Sequence, residues 1–414
     1  MIPMPVPLPG YAEAAALVAK CAALLCEAKP CSEQIALGSS LGRVLAQPIR
    51  ADRDMPSFPR STRDGFACRA AEASSHAPLA VAGSIRAGDP PAGPLPPGAA
   101  WEIMTGAAVP AGANAVVMLE HVEHVDGKVG LAAGRTVEPG ENIVPAAAEA
   151  HAGDELIPAG TCLGPSQIAS AAACGYANLA VFARPRVAIL TTGDELVSVD
   201  AAPAPGQIRD SNASMLAAFV AQAGGEPWIL PRVRDDAQQI ESALRHTLSS
   251  DLLLISGGVS AGKFDLVEPA LARLGTHFHF TGVRIQPGKP LVFCEIPRDH
   301  APIQPTFGLP GNPISSAATF LLFAAPILAT LAGSNQNHPR FGQATVARDV
   351  KGRPDLTRFV PAFTSFLDGR TLVTPVGSQG SGDLAAFARA DCFLMVPEGL
   401  ERLPAGSPAS ILRI

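Results

Sequence analysis

The sequence predicts a multidomain α/β protein, with a central doubly wound parallel sheet and β-rich modules around it, and three observations support this. Short continuous apolar runs alternate with helical segments between Pro185 and Leu331, the order strand, helix, strand, helix that builds a parallel sheet covered on both faces. On either side of that stretch the texture changes to short Val/Ile runs cut by Gly and Pro, the pattern of small β modules. The length of 414 residues exceeds what one core of about 100 to 200 residues organises, so three or four domains are expected.

The elements follow in chain order. Leu17, Val18, Cys21, Leu24 and Leu25 fall on one stripe of an amphipathic helix over about 11–28, with the turn signal at Pro30 closing it. From about Ser57 to Val144 the chain reads as β-rich, with AGDPPAGPLPPG forming loops. RVAIL (Arg186 to Leu190), DLLLIS (Asp251 to Ser256) and PLVFCEI (Pro290 to Ile296) read as buried strands of the central sheet. Ser211 or Asn212 is placed to cap a helix through Met215, Leu216, Phe219 and Val220 that stops at Gly224 and Gly225. Asp236 is placed to cap another through Ile240 and Leu244. The apolar run from Ala317 to Leu331, interrupted by Pro326, is shorter than the roughly 18 to 20 residues that span a bilayer and reads as a buried helix. After about Gly333, TRFVPAF, TLVTPV and CFLMVP are strands of a separate C-terminal β module.

Composition narrows the function classes. Hydrophobic residues make up 47% against 16% charged, enough apolar surface for a buried interior. A net charge of -6 without a long basic run leaves no electrostatic footprint for nucleic acid. MIPMPVPLPG lacks a charged n-region and is broken by prolines, so it reads as neither a secretory signal nor a membrane helix. Eight cysteines without a CxxC pair suggest neither a disulfide framework nor structural zinc. A cytoplasmic location is expected, with Cys21, Cys26 and Cys31 as small buried hydrophobes. His121 with His124, and His277 with His279, lack a third ligand in a recognisable pattern. A complete Walker A motif and HExxH are absent, which argues against P-loop NTPases and zinc proteases.

Ligands of open parallel sheets sit at the carboxyl ends of the strands, so the loops there carry the chemistry. Three stand out: TTGDEL (Thr191 to Leu196), SGGVSAGKFD (Ser256 to Asp265) and GLPGNPISS (Gly308 to Ser316). Gly257, Gly258 and Gly262 let backbone approach a bulky anion, and Ser256 and Ser260 add hydroxyl donors. Each could be an ordinary strand-to-helix turn, but three such loops together favour an anion cradle. Asp194 and Glu195 are an acidic pair suited to holding Mg²⁺ beside phosphate oxygens, unless Asp194 merely caps a helix. QPGKP (Gln286 to Pro290) holds Lys289 as a point charge on a tight turn, suited to a tetrahedral oxyanion.

TTGDEL, SGGVSAGKFD, GVRIQPGKP and GLPGNPISS occur in an order and spacing that resemble the molybdopterin molybdenumtransferases, the family of MoeA and the gephyrin E domain. LGRVLAQPIRADRDMPSFPRSTRDGFA, EIMTGAAVPAGANAVVM, GQIRDSNASML and SGDLAAFARAD extend the resemblance over nearly the whole chain. It implies four domains: a MogA-like catalytic, pterin-binding α/β domain (11–30 and 183–333), an elongated linking and dimerisation domain (31–50 and 146–182), a β-rich domain (51–145) and a C-terminal β-barrel-like domain (334–414). It also implies a homodimer that converts adenylylated molybdopterin and molybdate to molybdenum cofactor and AMP, with Mg²⁺ or another divalent cation assisting. An adenylyltransferase and acceptor molybdoenzymes would be its partners.

Matched position by position, the resemblance makes Asp64, Thr105, Glu195 and Asp265 the catalytic residues and gives Asp194 and Glu195 to the metal. Substrate binding would fall to Thr192, Gly193, Asp194, Ser211, Ser256, Gly257, Gly258, Ser260, Lys263, Pro310, Asn312 and Pro313. Lys289, Pro290 and Ser315, joined by Arg358 and Ser381, would hold molybdate. The chain departs from the family pattern at Arg63, Phe66, Lys263, Gln286 and VPAAAE (Val144 to Glu149). Lys263 would partly restore the positive charge missing at Gln286. The same departures frame an alternative: a noncatalytic or specialised paralogue that binds a pterin cofactor, handles tungstate or serves as a scaffold.

Overall fold

The computed structural model describes residues 8–25, 30–258, 266–299 and 302–414. The chain forms two compact units, Met1–Gln47 with Gly160–Gly164 and Asn178–Ile414, and Pro48–Ala159 with Pro165–Ala177.

In the larger unit a six-stranded sheet runs in the order Glu226–Ile229, Arg186–Thr191, Leu252–Ser256, Gln304–Leu309, Val292–Ile296, His277–Phe280. The first four strands are parallel, and Val292–Ile296 alone is reversed, pairing antiparallel with both Gln304–Leu309 and His277–Phe280. The expected all-parallel sheet is therefore mixed. RVAIL, DLLLIS and PLVFCEI are strands as expected, but PLVFCEI runs against its neighbour, because a short connection leads from it into Gln304–Leu309 and parallel pairing needs a long crossover.

Strand periodicity divides two cores. Val187, Ile189, Leu252, Leu254, Phe293 and Phe307 face the helices Tyr11–Leu25, Ser211–Gln222 and Pro313–Leu331. Their alternates Ala188, Leu190, Leu253, Ile255, Val292 and Cys294 face Ala237–Thr247 and Val267–Ala272. Continuous apolar runs are thus explained by burial on both faces.

Some helical expectations need correction. The first helix buries Ala14, Val18, Cys21, Ala22 and Leu25, leaving Leu24 57% exposed, since small alanines supply the inner face. Cys26 lies outside the described residues, and Cys31 is exposed rather than buried. The cap of Ser211–Gln222 is Asp210, not Ser211 or Asn212: its Oδ1 accepts from Ala213 N–H at 3.0 Å. Asp236 caps Ala237–Thr247 as expected. The apolar helix begins at Pro313, four residues before the apolar run, so its 19 residues are long enough to cross a membrane by length and composition. Yet 78% of it is buried in the fold, and it is the core helix of the sheet. A π turn over Phe320–Ala324 accommodates Pro326, which has no N–H for an α-helical bond.

The C-terminal strands Phe341–Val346, Thr357–Leu367, Arg370–Pro375, Cys392–Val396 and Pro408–Arg413 close into a five-stranded barrel around Ala344, Val346, Ala362, Val373, Leu394 and Ile411. The smaller unit carries a separate six-stranded sheet from Gly65–Cys68 to Lys128–Leu131. The Pro-rich AGDPPAGPLPPG connects its strands Leu79–Ile85 and Ala99–Ile103.

Candidate active site

The three Gly-rich loops of the parallel strands are tied together at one edge of the sheet. Thr192 N–H donates to Ser256 C=O at 3.1 Å, and Gly257 N–H to Leu309 C=O at 3.3 Å. Asn212, on the first turn of the helix capped by Asp210, donates through Nδ2 to Ser256 Oγ at 2.8 Å and to Gly311 C=O at 2.7 Å. A carbonyl only accepts, so this amide's orientation is fixed. Asp210 spends its second oxygen on Thr191 Oγ1 at 2.7 Å, pinning the helix start to the strand end.

Gly257 and Gly258 both lie in the left-handed region, with φ of +94° and +64°. A Cβ at Gly258 would meet Thr192 Oγ1 and Val267 Cγ2 at 2.8 Å, so the close approach of Thr192 itself demands glycine there.

These loops enclose a cavity of about 800 Å³. Of the expected substrate residues, Thr192, Gly193, Ser211, Ser256, Gly257 and Gly258 line it, as do Pro310, Asn312, Pro313 and the catalytic candidate Glu195. Asp194 is exposed beside it but does not line it, and a short strand, Leu196–Val197, follows in place of a helix, so Asp194 caps nothing. Thr192 Oγ1 and Asn212 Oδ1 are buried without a hydrogen-bond partner. Ser260, Lys263 and Asp265 lie outside the described residues.

Sequence reasoning missed Asp210, Asn212 and Asp235 as cavity residues. A signal for Asp235 existed: in the pair Asp235-Asp236 only one residue can cap the helix, which leaves the other free. Burial holds the Asp235 carboxyl above its usual range, and the charges of Asp194 and Glu195 push it the same way. Three carboxylates thus crowd one corner.

A second cavity of about 520 Å³ adjoins the first. Lys289, Pro290, Ser315, Arg358 and Ser381 all line it, brought together from the loop before Val292, the start of the apolar helix and two segments of the barrel region. Gln286 lines it too. Ser315 is 4% exposed, whereas Lys289 is exposed. Arg358 donates to the Lys351 carbonyl, and burial together with Arg353 lowers its pKa from the usual arginine value. The chemistry on offer suits an anion: an ammonium, a guanidinium and hydroxyls line one small space.

In the smaller unit, Thr105 donates to Asp64 Oδ1 through both its N–H, at 2.7 Å, and its hydroxyl, at 2.8 Å. Those two bonds hold the Asp64 carboxyl below its usual range. Elsewhere, His279 Nε2 lies 3.3 Å from Glu295, which also accepts from Cys21 at 2.8 Å. Among the described residues no group of three or more His, Cys, Asp or Glu side chains is arranged to hold a metal on its own.

Residues 10–175 match the MoeA N-terminal region (domain I and II), 188–330 a probable molybdopterin binding domain, and 343–414 the MoeA C-terminal region (domain IV). A molybdopterin molybdenumtransferase of Bacillus subtilis (strain 168) is 36% identical over 391 residues, covering 92% of this chain and 90% of its own length. One from Nostoc sp. is 34% identical over 391 residues, covering 92% of this chain and 89% of its own length. The crystal structure of a molybdopterin biosynthesis MoeA protein from Pyrococcus horikoshii OT3 superposes with a TM-score of 0.79 at 28% identity, covering 99% of this chain and all of that one. With three consecutive MoeA segments in order along one chain, and relatives above 30% identity over nine-tenths of its length, the protein belongs to the MoeA family of molybdopterin molybdenumtransferases.

Proposed function

We propose that this protein is a molybdenumtransferase of molybdenum cofactor biosynthesis, which loads molybdate onto adenylylated molybdopterin and releases AMP. The observation that carries the reading is the adjacency of two cavities of different size, sharing Pro290, Pro310 and Asn312 in their walls. The larger fits an adenylylated pterin, whose phosphates suit glycine-rich backbone and hydroxyl donors. The smaller, with Lys289, Arg358, Ser315 and Ser381, suits a doubly charged tetrahedral oxyanion. Holding the two side by side converts their encounter into an intramolecular event, which removes much of the entropic part of the barrier.

Mg²⁺ fits the acidic corner. Asp194 and Glu195, with Asp235 beside them, would hold it, because it takes most of its ligands from water and phosphate rather than from a protein cage. When bound, the cation supplies positive charge to the phosphate oxygens of the leaving AMP. Around it, Glu195 and Asp235 orient the cation face of the cavity, Asn212 keeps the Ser256 and Gly311 loops at fixed spacing, and Lys289 neutralises molybdate. Asp64 with Thr105, and Asp265, enter as catalytic residues on the family pattern, as do the four-domain division, the homodimer, and adenylyltransferase and acceptor enzymes as partners. A cytoplasmic site of action agrees with the burial of the apolar helix in the fold. No observation favours the scaffold or specialised-paralogue alternative.

The test is release of AMP from adenylylated molybdopterin by the purified protein, with and without molybdate and Mg²⁺. Release is expected to require molybdate and to be accelerated by Mg²⁺; release that ignores molybdate would overturn the reading.

A further inference from the structure

The partition between the two cavities is carried by few residues, and one of them stands out chemically. Of the three residues that line both cavities, Pro290 and Pro310 have no polar side chain, so Asn312 is the sole side-chain hydrogen-bonding group the two spaces share. On the barrel side, Ser381 lines the smaller cavity and the next residue, Gly382, lines the larger. The partition is thus closed where Asn312 meets this loop: Asn312 Nδ2 donates to Ser381 Oγ at 3.0 Å, beside a bond from Ile314 N–H to Ser381 C=O at 3.1 Å.

Asn312 occupies the N-cap position of the helix that starts at Pro313, yet its side chain makes no capping bond. Asparagine at that position ordinarily turns back to its own helix. Here its amide is turned across to Ser381 instead. A neutral amide also suits a place between two anionic ligands, where a carboxylate would repel both.

We propose that Asn312 is a positioning residue for oxyanion transfer. By holding Ser381 Oγ at the partition it fixes the point at which molybdate in the Lys289 cavity meets the pterin dithiolene in the Glu195 cavity. The inference rests on the reading of the two cavities given above.

The experiment compares wild type, Asn312→Ala, Ser381→Ala and the double variant in molybdate-dependent AMP release at saturation, with molybdate and adenylylated molybdopterin binding measured separately by calorimetry. Asn312→Ala is expected to lower kcat about 10- to 100-fold, the scale of a small misplacement of reacting groups, a larger factor than its loss of affinity for either ligand, while its Tm stays at the wild-type value. The double variant is expected to be no slower than the slower single variant, since both substitutions break one bond. Unchanged kcat in Asn312→Ala overturns the proposal. So does a fall in kcat matched by weaker binding of both ligands or a lower Tm, which would mark a merely structural role. Absence of molybdate-dependent release in wild type is a different failure: it removes the functional reading, and this inference with it.

Discussion

The two halves of the six-stranded sheet deliver their loops to the cavities in opposite ways. In the parallel half, Arg186–Thr191, Leu252–Ser256 and Gln304–Leu309 all point to one edge, and the loops that follow them line the larger cavity. In the antiparallel half, Val292 lies opposite Gly308, so the strand Val292–Ile296 begins at the edge where its neighbour ends. The loop that precedes this strand, carrying Gln286 to Pro290, therefore arrives at the same edge and supplies Lys289 to the smaller cavity. The reversal of one strand is what places a lysine beside three glycine-rich turns.

The contrast separates stability from binding. Phe307, in the central parallel strand, is fully buried, and Phe307→Ala is expected to cost about 3–5 kcal/mol in urea unfolding through lost burial and the cavity left behind. A loss under about 1 kcal/mol would mean that the parallel half is not the core of the unit. Lys289→Ala, in the exposed turn of the antiparallel half, is expected to do the reverse. It should leave unfolding within about 0.5 kcal/mol of wild type and lower molybdate-dependent AMP release about 100-fold at fixed molybdate, the effect of removing one oriented charge from an anion site. If the unfolding curve moved and the AMP release did not, the division between the halves would be wrong.

The smaller unit gives the mildest effect. The Asp64 carboxyl is held below its usual range by Thr105, so the contribution of this contact is present above the unfolded carboxyl pKa of about 3.9 and is lost as pH falls through the lower folded value. Thr105→Val, which removes the hydroxyl donor and leaves the N–H, is expected to shift the Asp64 titration upward, read by carboxyl carbon NMR. A titration that stays in place would show that the backbone N–H alone sets it.

Much of this was legible in the chain. Continuous apolar runs such as LLLIS announced strands covered on both faces, because only two-sided burial removes the usual alternation. Glycines at 257 and 258 announced backbone in positive φ, which the structure shows at +94° and +64°. Legibility failed where a choice depended on partners distant in sequence. Asp210 was hidden as a cap because Ser211 and Asn212 are equally good capping residues, and only the bond from Thr191 to Asp210 selects among them. Asn212 and Asp235 were hidden as cavity residues because their roles appear only when other loops come to rest against them.

The sequence by itself determined the element types and the glycine-rich loops, since these depend on local propensity and on periodicity along the chain, while Ser315, Arg358 and Ser381 were singled out only through the family resemblance. Only the tertiary structure decided that PLVFCEI runs antiparallel, that the barrel brings Arg358 and Ser381 to Lys289, and that the two cavities share a wall at Asn312. Strand direction and the docking of a barrel on a helix start are set by pairing between distant segments, and no window of neighbouring residues contains that information.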